Sequence, residues 1–316
     1  MSQRPLFVLS LPRSGSTLVQ RVLAARDEIS TTPEPWILLP QVYAMREQGA
    51  YTEYGQVPAS RAIREFAERS SGGRGGYEEE LRRFVLALYA RASGGRGMYF
   101  LDKTPRYHFI TEDLFRLFPD GRFVFLWRNP LAVVASVVET WGRGRWIVER
   151  WRPDLFDGVA HLVSGFVAHG DRSLAVRYED LVSDPDRAWP PLFEYLGLPF
   201  DPAVITSFGE ISLEARMGDP TGSRRYDSIS TEPLEKWKRT LANPVRKRWC
   251  RNYLRWIGES RLSVMGYSLS ELLCGLDEIP TRPGRLGSDL SRAAYTSFDR
   301  TGRRTAARLL WRKGGF

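Results

Sequence analysis

The feature that most constrains this chain is a short apolar segment near its beginning that runs directly into a turn of small polar residues. Leu6 to Leu9 predict a buried β-strand, Pro12 ends it, and Ser14 to Thr17 open the next element. Apolar residues then recur at helical spacing, at Leu18, Val19, Val22 and Leu23. A strand that turns tightly into a helix directs unpaired backbone N–H groups and the positive end of the helix dipole at one place. The segment therefore predicts an anion site.

This turn differs from the loop that binds ATP and magnesium in P-loop proteins. That loop needs a Gly, four residues, and then Gly-Lys-Ser/Thr. Here Ser10 stands at the first Gly, Ser16 stands at the Lys, and the nearby cation is Arg13. The residues thus predict a phosphate cradle that is not built for a magnesium-bridged triphosphate.

The rest of the chain alternates between predicted strands and predicted helices. Residues 122–127 and 173–177 predict two more strands, followed by helices at about Pro130–Trp141 and Trp189–Leu196. Such alternation is typical of βαβ units. It predicts an α/β fold of the P-loop-like, three-layer kind, in which helices flank a central parallel sheet.

Length and charge divide the chain into a body and a tail. The length of 316 residues suits one large domain, predicted over residues 1–281 with a helical insertion at about residues 45–97. Seven of the nine net positive charges fall in residues 282–316, where arginines recur every four positions at Arg300, Arg304, Arg308 and Arg312. That stripe suits a helix lying on an anionic membrane surface, and a solvated or docked tail is the other interpretation.

Composition narrows the classes of protein further. No apolar run approaches the roughly 20 residues of a membrane span, and no His/Cys/Asp cluster has ligand spacing, so we expect no metal. Cys250 and Cys274 lack a Cys-x-x-Cys spacing and suit buried thiols in a reducing compartment. No signal peptide is visible. We therefore expect a cytoplasmic protein, with peripheral contact at the inner face of the membrane if the tail binds lipid.

The opening turn resembles a loop known from one enzyme family. Pro12-Arg-Ser-Gly-Ser-Thr17 is similar to the 5′-phosphosulfate-binding loop of sulfotransferases, which move a sulfuryl group from 3′-phosphoadenylyl sulfate (PAPS) to a hydroxyl. The resemblance implies PAPS as donor, adenosine 3′,5′-bisphosphate as product, and nucleotide contacts from Arg13, Ser14, Gly15, Ser16 and Thr17. Five ordered blocks between about residues 5 and 270 carry it. They are similar to the tyrosylprotein and bacterial carbohydrate-type branch.

A second anion site is predicted where the 122–127 strand ends. Arg128 can grip a phosphate as a planar fork, and Ser136, eight residues on, adds a hydroxyl. The spacing resembles the 3′-phosphate site of the sulfotransferase family, and ATP has no 3′-phosphate. The segment beginning at Tyr178-Glu-Asp-Leu resembles the family segment whose Tyr contacts the nucleotide, which implies that role for Tyr178.

Two further segments concern the chemistry. A cleft lysine, Lys103, can stabilise negative charge on the departing oxygen. In cytosolic aryl and steroid sulfotransferases a His base follows this lysine by two residues, but Pro105 stands there here. Thr32-Pro-Glu34-Pro-Trp36 resembles the segment in which protein-tyrosine and bacterial carbohydrate or polyketide sulfotransferases place a Glu. That resemblance implies Glu34 as base, beside Lys103 and Arg13. A solvated loop carboxylate is the alternative.

The last block lies before another helix, which is predicted from Pro244 to about Ile257 with a proline in its first turn. Leu234-Glu-Lys236-Trp237 is similar to the segment that closes over PAPS in the tyrosylprotein branch, which implies that Lys236 contacts the nucleotide. By the same resemblance, Thr221 falls where that branch has a transition-state-stabilising Ser. Ser223 is an equal candidate, so the assignment stays open between the two.

The acceptor and two other classes of function stay open. Trp36, Trp141, Trp146 and Trp151 suit either an acceptor cleft or the core, and a carbohydrate or glycolipid hydroxyl is the first expectation, with a small-molecule alcohol as the alternative. A small-molecule P-loop kinase would need the missing loop lysine. A basic nucleic-acid-binding protein would need basic and aromatic residues interleaved over a surface, whereas the excess charge lies in the tail.

Overall fold

The computed structural model describes residues 3–211, 213 and 228–292. Its centre is a sheet of five strands, all parallel, in the order β2-β3-β1-β4-β5. The strands are β1 (Arg4–Ser10), β2 (Ile29–Thr31), β3 (Tyr99–Asp102), β4 (Arg122–Trp127) and β5 (Ser173–Arg177). The α/β fold class with a central parallel sheet is confirmed.

Strands β1 and β4, both in the interior of the sheet, are apolar on both faces. Leu6 to Leu9 of β1 and residues 123–127 of β4 are buried, as expected for parallel strands covered on both sides. Val8 lies opposite Val124, and Phe7 lies between Phe123 and Asp102. Strand β2 was not predicted because its three residues, Ile-Ser-Thr, have no extended apolar pattern.

Fourteen α-helices accompany the sheet in the described part of the chain. The first seven are α1 (Ser16–Ala24), α2 (Leu38–Tyr43), α3 (Gln56–Arg69), α4 (Gly73–Ser93), α5 (Thr111–Leu117), α6 (Pro130–Thr140) and α7 (Gly158–His169). The others are α8 (Tyr178–Ser183), α9 (Pro185–Ala188), α10 (Pro190–Tyr195), α11 (Val204–Ser207), α12 (Glu232–Leu241), α13 (Pro244–Val264) and α14 (Leu269–Asp277). Short 3₁₀ turns occupy Pro105–Ile110, Val148–Trp151, Gly170–Arg172 and Phe208–Glu210.

The chain divides into two compact units. Unit 1 comprises residues 1–128 and 157–231, and it holds the whole sheet. Unit 2 comprises residues 129–156 and 232–316, and its described helices are α6 and α12 to α14. The predicted boundary between residues 281 and 282 stays a prediction.

Several local predictions can be compared directly with the structure. The strands at 122–127 and 173–177 are confirmed at those bounds, and α6 and α10 agree with the predicted helices to within a residue. The expectation of two buried thiols is wrong for Cys274, which is exposed, whereas Cys250 is buried. None of the described helices combines the length and apolar character that crossing a bilayer demands.

Candidate active site at the carboxyl ends of the strands

A residue predicted to be functional follows the carboxyl end of every strand in the sheet. The loop with Arg13 follows β1, Glu34 follows β2, Lys103 follows β3, Arg128 follows β4 and Tyr178 follows β5. In parallel sheets the carboxyl ends of the strands meet at one edge, where ligands bind. The strand order therefore places Glu34 and Lys103 on one side of the loop that follows β1, and Arg128 and Tyr178 on the other side.

The loop after β1 adopts the conformation of an anion cradle. Arg13 and Gly15 have left-handed backbones, with φ of 70° and 90°, and α1 begins at Ser16. The first N–H groups of an α-helix have no acceptor within the helix, so they are directed beyond its start. Ser14, Ser16 and Thr17 are buried. The loop thus presents main-chain donors from a fixed backbone.

Tyr178 packs directly against this loop. A Cβ atom added at Gly15 would lie 2.3 Å from Cδ2 of Tyr178, so the ring occupies the space that any side chain at residue 15 would need. Glycine is therefore required at this position for two reasons, the left-handed φ and the neighbouring ring.

Arg128 joins the same group of residues. Its Nη1 donates to the carbonyl oxygen of Arg13 at 2.9 Å, and its guanidinium carbon lies 4.3 Å from the centroid of the Tyr178 ring. A guanidinium over an aromatic face is attracted by the ring quadrupole. The end of β4, the predicted phosphate loop (residues 11–15, between β1 and α1) and the start of α8 are therefore held together in unit 1.

Glu34 and Lys103 form an ion pair that is almost closed to solvent. Lys103 Nζ lies 2.7 Å from Glu34 Oε1, and the side chains are 3% and 10% exposed, respectively. Trp36 Nε1 donates to the other oxygen of Glu34, Oε2, at 3.2 Å. Both carboxylate oxygens thus have partners, which a buried ion pair needs to offset its desolvation. Glu34 is an ion-paired, nearly buried carboxylate, not a solvated one.

A buried carboxylate lies beneath this pair and was missed by sequence reasoning. Asp102, at the end of β3, is fully buried and accepts hydrogen bonds from Tyr89 Oη at 2.6 Å, Tyr107 Oη at 2.9 Å and Thr104 Oγ1 at 2.9 Å. A charged residue that closes an otherwise apolar strand, directly before Lys103, was the available signal. Nothing in the local pattern indicated its tyrosine partners.

Two of these hydroxyl groups also fix the segment that carries Glu34. The amide of Trp36 donates to Thr104 Oγ1 at 3.4 Å, and the amide of Leu38 donates to Tyr107 Oη at 3.3 Å. On the other side of Glu34, the side chain of Gln20 in α1 donates to the carbonyl oxygen of Thr32 at 2.8 Å. Residues 32–38 are therefore tied both to the segment that follows β3 and to α1.

Burial dominates the electrostatics of Asp102. Desolvation raises the pKa of its carboxyl to about 6, although the hydrogen bonds from Tyr89, Thr104 and Tyr107 and the charge of Lys103 act in the opposite direction. The pKa of Tyr89 lies well above its ordinary value, because its hydroxyl is buried beside that carboxylate.

The remaining predicted site residues lie in unit 2 or outside the described residues. Ser136 is half-buried on α6, and Lys236 on α12 pairs with Glu232 at 2.9 Å; both belong to unit 2. Their grouping with the residues of unit 1 stays a prediction. Thr221 and Ser223 lie outside the described residues, as does the arginine stripe at 300–312.

Two pairs of tryptophan rings are in contact in the described part of unit 2. Trp141 and Trp151 have ring centroids 4.2 Å apart, and the buried Trp146 packs edge-on against Trp249 at 5.5 Å. Trp146 is therefore a core residue, which is one of the two interpretations left open for it.

Comparison with known proteins gives a consistent set of relatives. A family model described as "Sulfotransferase family" matches residues 5–202. Nodulation protein NoeE of Sinorhizobium fredii is 30% identical over 74% of this chain and 60% of its own length. Protein-tyrosine sulfotransferase 2 of Gallus gallus is 25% identical over 73% of this chain and 62% of its own length. The chain thus spans about three fifths of the length of these relatives.

A solved structure agrees at the level of the fold. The sulfotransferase domain of the Synechococcus PCC 7002 olefin synthase superposes with a TM-score of 0.50 and 24% identity, over 75% of this chain and 88% of that domain. The family match covers well over half of the present chain and includes the loop, Glu34, Lys103, Arg128 and Tyr178. This chain belongs to the sulfotransferase family.

Proposed function

We propose that this protein transfers a sulfuryl group from PAPS to a hydroxyl acceptor by in-line displacement. The observation that carries the proposal is the order of side chains along the strand ends. The paired Glu34 and Lys103 lie on the β2–β3 side of the phosphate loop, and Arg128 with Tyr178 lies on the β4–β5 side. Such an order supports acid–base chemistry on one side of the bound phosphosulfate and nucleotide recognition on the other.

The residues of the loop suit the donor nucleotide. The backbone is left-handed at residues 13 and 15, Gly15 makes room for the Tyr178 ring, and Arg128 brings a second arginine to the loop beside Arg13. The loop N–H groups and Arg13 would hold the phosphosulfate, and Arg128 with Ser136 would hold the 3′-phosphate. Tyr178, Lys236 and Ser223 would complete the nucleotide contacts. When bound, PAPS supplies a sulfuryl group on a phosphate leaving group.

Glu34 and Lys103 have complementary roles in this proposal. Glu34 accepts the proton of the acceptor hydroxyl, which makes the oxygen a better nucleophile. Lys103 has three N–H donors, one of which is used by Glu34, so the others can stabilise the charge that grows on the departing oxygen. Arg13 shares that charge, and Thr221 is the proposed additional support for the transferring group.

We propose a carbohydrate or glycolipid hydroxyl as the acceptor, with a small-molecule alcohol as the alternative. Trp36 supports the first, because it lies beside Glu34 and offers an aromatic surface on which a sugar ring can stack. Relatives of this chain are named for a tyrosine hydroxyl and for omega-hydroxy-beta-dihydromenaquinone-9, both of which are hydroxyl acceptors.

Calorimetric titration tests the donor assignment. We expect adenosine 3′,5′-bisphosphate to bind at least ten-fold more tightly than AMP or ATP, because the 3′-phosphate adds charge-assisted hydrogen bonds. Arg128→Gln should abolish that preference. The matched control Arg187→Gln, an exposed arginine of unit 1, should preserve it. Equal affinity for the bisphosphate and AMP would overturn the proposal, and preference for magnesium-ATP would indicate a kinase.

The base assignment has a separate test. Glu34→Gln keeps the size of the side chain but removes its basicity, so sulfuryl transfer should fall by about 10²–10⁴-fold. Bisphosphate binding should persist. The acceptor for this assay comes from mass spectrometry of host glycans and lipids, comparing cells with and without the protein for products heavier by SO₃. A fully active Gln variant would remove Glu34 as base.

A further inference from the structure

Unit 2 contains a cavity whose lining is unusually rich in arginine. Its volume is about 240 Å³. The lining residues are Glu139, Gly144, Arg239, Thr240, Ala242, Asn243, Arg246, Arg282, Gly284 and Arg285. All of them belong to unit 2, whereas the phosphate loop belongs to unit 1. None of the lining residues is assigned to the site described above.

The floor of the cavity is built from buried polar groups with fixed partners. Arg246 is 4% exposed and pairs with the buried Asp289, with Nε 2.7 Å from Oδ2. Its other nitrogens donate to the carbonyl oxygens of Thr240 at 3.0 Å and Gly144 at 2.9 Å. Arg246 is thus neutralised in place, and it holds together the segments that line the cavity.

The arginines at the rim are carried by an anchored backbone. The amide of Arg282 donates to the carbonyl oxygen of Ala242 at 2.9 Å, and the side chain of Asn243 donates to the carbonyl oxygen of Gly284 at 2.8 Å. Residues 282–285, the first of the predicted basic tail, are therefore fixed to the junction of α12 and α13.

Arg285 is held in a strained conformation that directs it at the cavity. Its φ is 60°, a left-handed value that non-glycine residues rarely adopt. A Cβ added at Gly144 would lie 3.1 Å from the guanidinium carbon of Arg285, so the guanidinium lies directly over this glycine. Strained residues of this kind concentrate at ligand sites.

The charge of the lining is unbalanced. Across residues 3–211, 213 and 228–292, no carboxylate forms an ion pair with Arg239, Arg282 or Arg285. Glu139 is the one carboxylate among the lining residues, and it accepts the hydroxyl hydrogen of Thr240 at 2.9 Å. The cavity thus carries three cations that are not ion-paired, above a polar floor.

We infer that this cavity is a second anion-binding site, for the phosphate or sulfate group of a ligand distinct from the donor nucleotide. Guanidinium groups bind such groups through paired N–H donors. The volume is below the roughly 300–1,000 Å³ of pockets for drug-sized molecules, so it suits a small anionic head group. This inference is independent of the proposed transfer reaction.

Titration of inorganic sulfate into the full chain, saturated with adenosine 3′,5′-bisphosphate, tests the site. Arg282→Gln/Arg285→Gln removes two rim cations, and Arg248→Gln/Arg255→Gln makes the same charge change at exposed positions of α13 outside the cavity. We expect saturable sulfate binding that weakens at least ten-fold in the first variant and is retained in the second. Equal binding by wild type and the cavity variant, or equal loss in both variants, would overturn the site.

A vesicle assay distinguishes two sources of the same chemistry. Wild type and the cavity variant share residues 286–316. A loss of binding to phosphatidic acid vesicles that the Arg248→Gln/Arg255→Gln control does not show, with phosphatidylcholine vesicles as background, therefore reports the cavity. Weaker vesicle binding by the cavity variant identifies a lipid head group. Equal vesicle binding together with the sulfate difference identifies a soluble anion. Sulfate binding without bisphosphate binding would overturn the proposed transferase and leave the cavity site standing.

Discussion

At the scale of single residues, Asp102 determines how the segment that carries Glu34 is held. Its carboxylate orients the hydroxyls of Thr104 and Tyr107, which in turn accept hydrogen bonds from the amides of Trp36 and Leu38. Because the carboxyl is fully buried, its titration is coupled to folding.

The first prediction is a change in the pH dependence of stability in Asp102→Asn. The pKa of Asp102 is raised to about 6 in the folded protein, so the folded state binds the extra proton between about pH 4 and pH 6. The protonated carboxyl therefore contributes stability that is fully present below pH 4. As the pH rises through 6 this stability is lost, and the free energy of unfolding falls by about 1.4 kcal/mol per pH unit. Asp102→Asn should lack that decrease of about 3 kcal/mol. Urea unfolding between pH 4 and pH 8 measures it.

The exposed Asp120 provides the control for this measurement. Asp120→Asn should follow the wild-type curve, because its carboxyl is largely solvated in both states. Parallel curves for wild type and Asp102→Asn would contradict the assignment of the titration to Asp102. The same comparison with backbone ¹H–¹⁵N spectra should show the Trp36 amide signal titrating in wild type and not in the Asn variant, because that amide donates to Thr104 Oγ1, which is bound to Asp102.

The second prediction concerns Gly15 and uses Gly197 as a matched control. Both glycines are left-handed, with φ of 90° and 69°, but a Cβ at Gly197 has open space whereas one at Gly15 overlaps the Tyr178 ring. Gly197→Ala should cost about 1 kcal/mol from backbone strain alone. Gly15→Ala should cost about 2–4 kcal/mol and should weaken bisphosphate binding. If urea unfolding showed the same loss of free energy of unfolding for both variants, the Tyr178 ring would move aside without an energetic penalty, which contradicts the prediction.

At the scale of secondary-structure elements, α1 anchors the turn that precedes residues 212–227. Arg21 of α1 is buried and donates to the carbonyl oxygens of Gly209 at 2.7 Å and Ile211 at 3.0 Å, with its guanidinium 5.3 Å from the Phe208 ring. The helix that starts at the phosphate loop therefore also fixes the 208–211 turn.

The third prediction is that Arg21→Gln loosens this turn. Loss of charge-assisted hydrogen bonds to two half-buried carbonyls should lower the free energy of unfolding by about 2–3 kcal/mol. Hydrogen exchange over residues 204–211 should accelerate. Arg26→Gln, which removes a partly exposed pair with Glu28, should change stability by less than about 1 kcal/mol. Equal effects of the two variants would contradict an anchoring role for Arg21.

Helix α13 shows what local patterns can and cannot reveal. The helical pattern from Pro244 to about Ile257 was predicted from the sequence, and the regular helix does break there, since Gly258 has φ of 77°. The chain then continues as helix to Val264. A glycine indicates where a helix can break, but whether the chain resumes the helix depends on tertiary packing.

At the scale of the whole molecule, binding and stability are linked. The fourth prediction is that adenosine 3′,5′-bisphosphate raises the melting temperature. At a free concentration one hundred times its Kd, it should raise the free energy of unfolding by about 2.7 kcal/mol. AMP at the same concentration should stabilise the protein less, because it lacks the 3′-phosphate. EDTA should leave both shifts unchanged, since the proposed contacts are cations and N–H groups. Equal shifts with the two nucleotides would contradict the two-phosphate site.

What the sequence by itself determined is local. The β1 strand, the loop after it and the start of α1 follow from residues adjacent in the chain, because apolar runs, proline and glycine act on their immediate neighbours. Strand β4 with Arg128 at its end was predictable for the same reason.

Only the tertiary structure decided which of the site residues are in contact with one another. Strand order brings Glu34 at the end of β2 to 2.7 Å from Lys103 at the end of β3, although 69 residues separate them in the chain. The hydrogen bond from Tyr89 to Asp102 also depends on tertiary packing, because it joins helix α4 to the end of strand β3. Strand pairing and helix packing of this kind follow from a free-energy balance over the whole core, which no short segment contains.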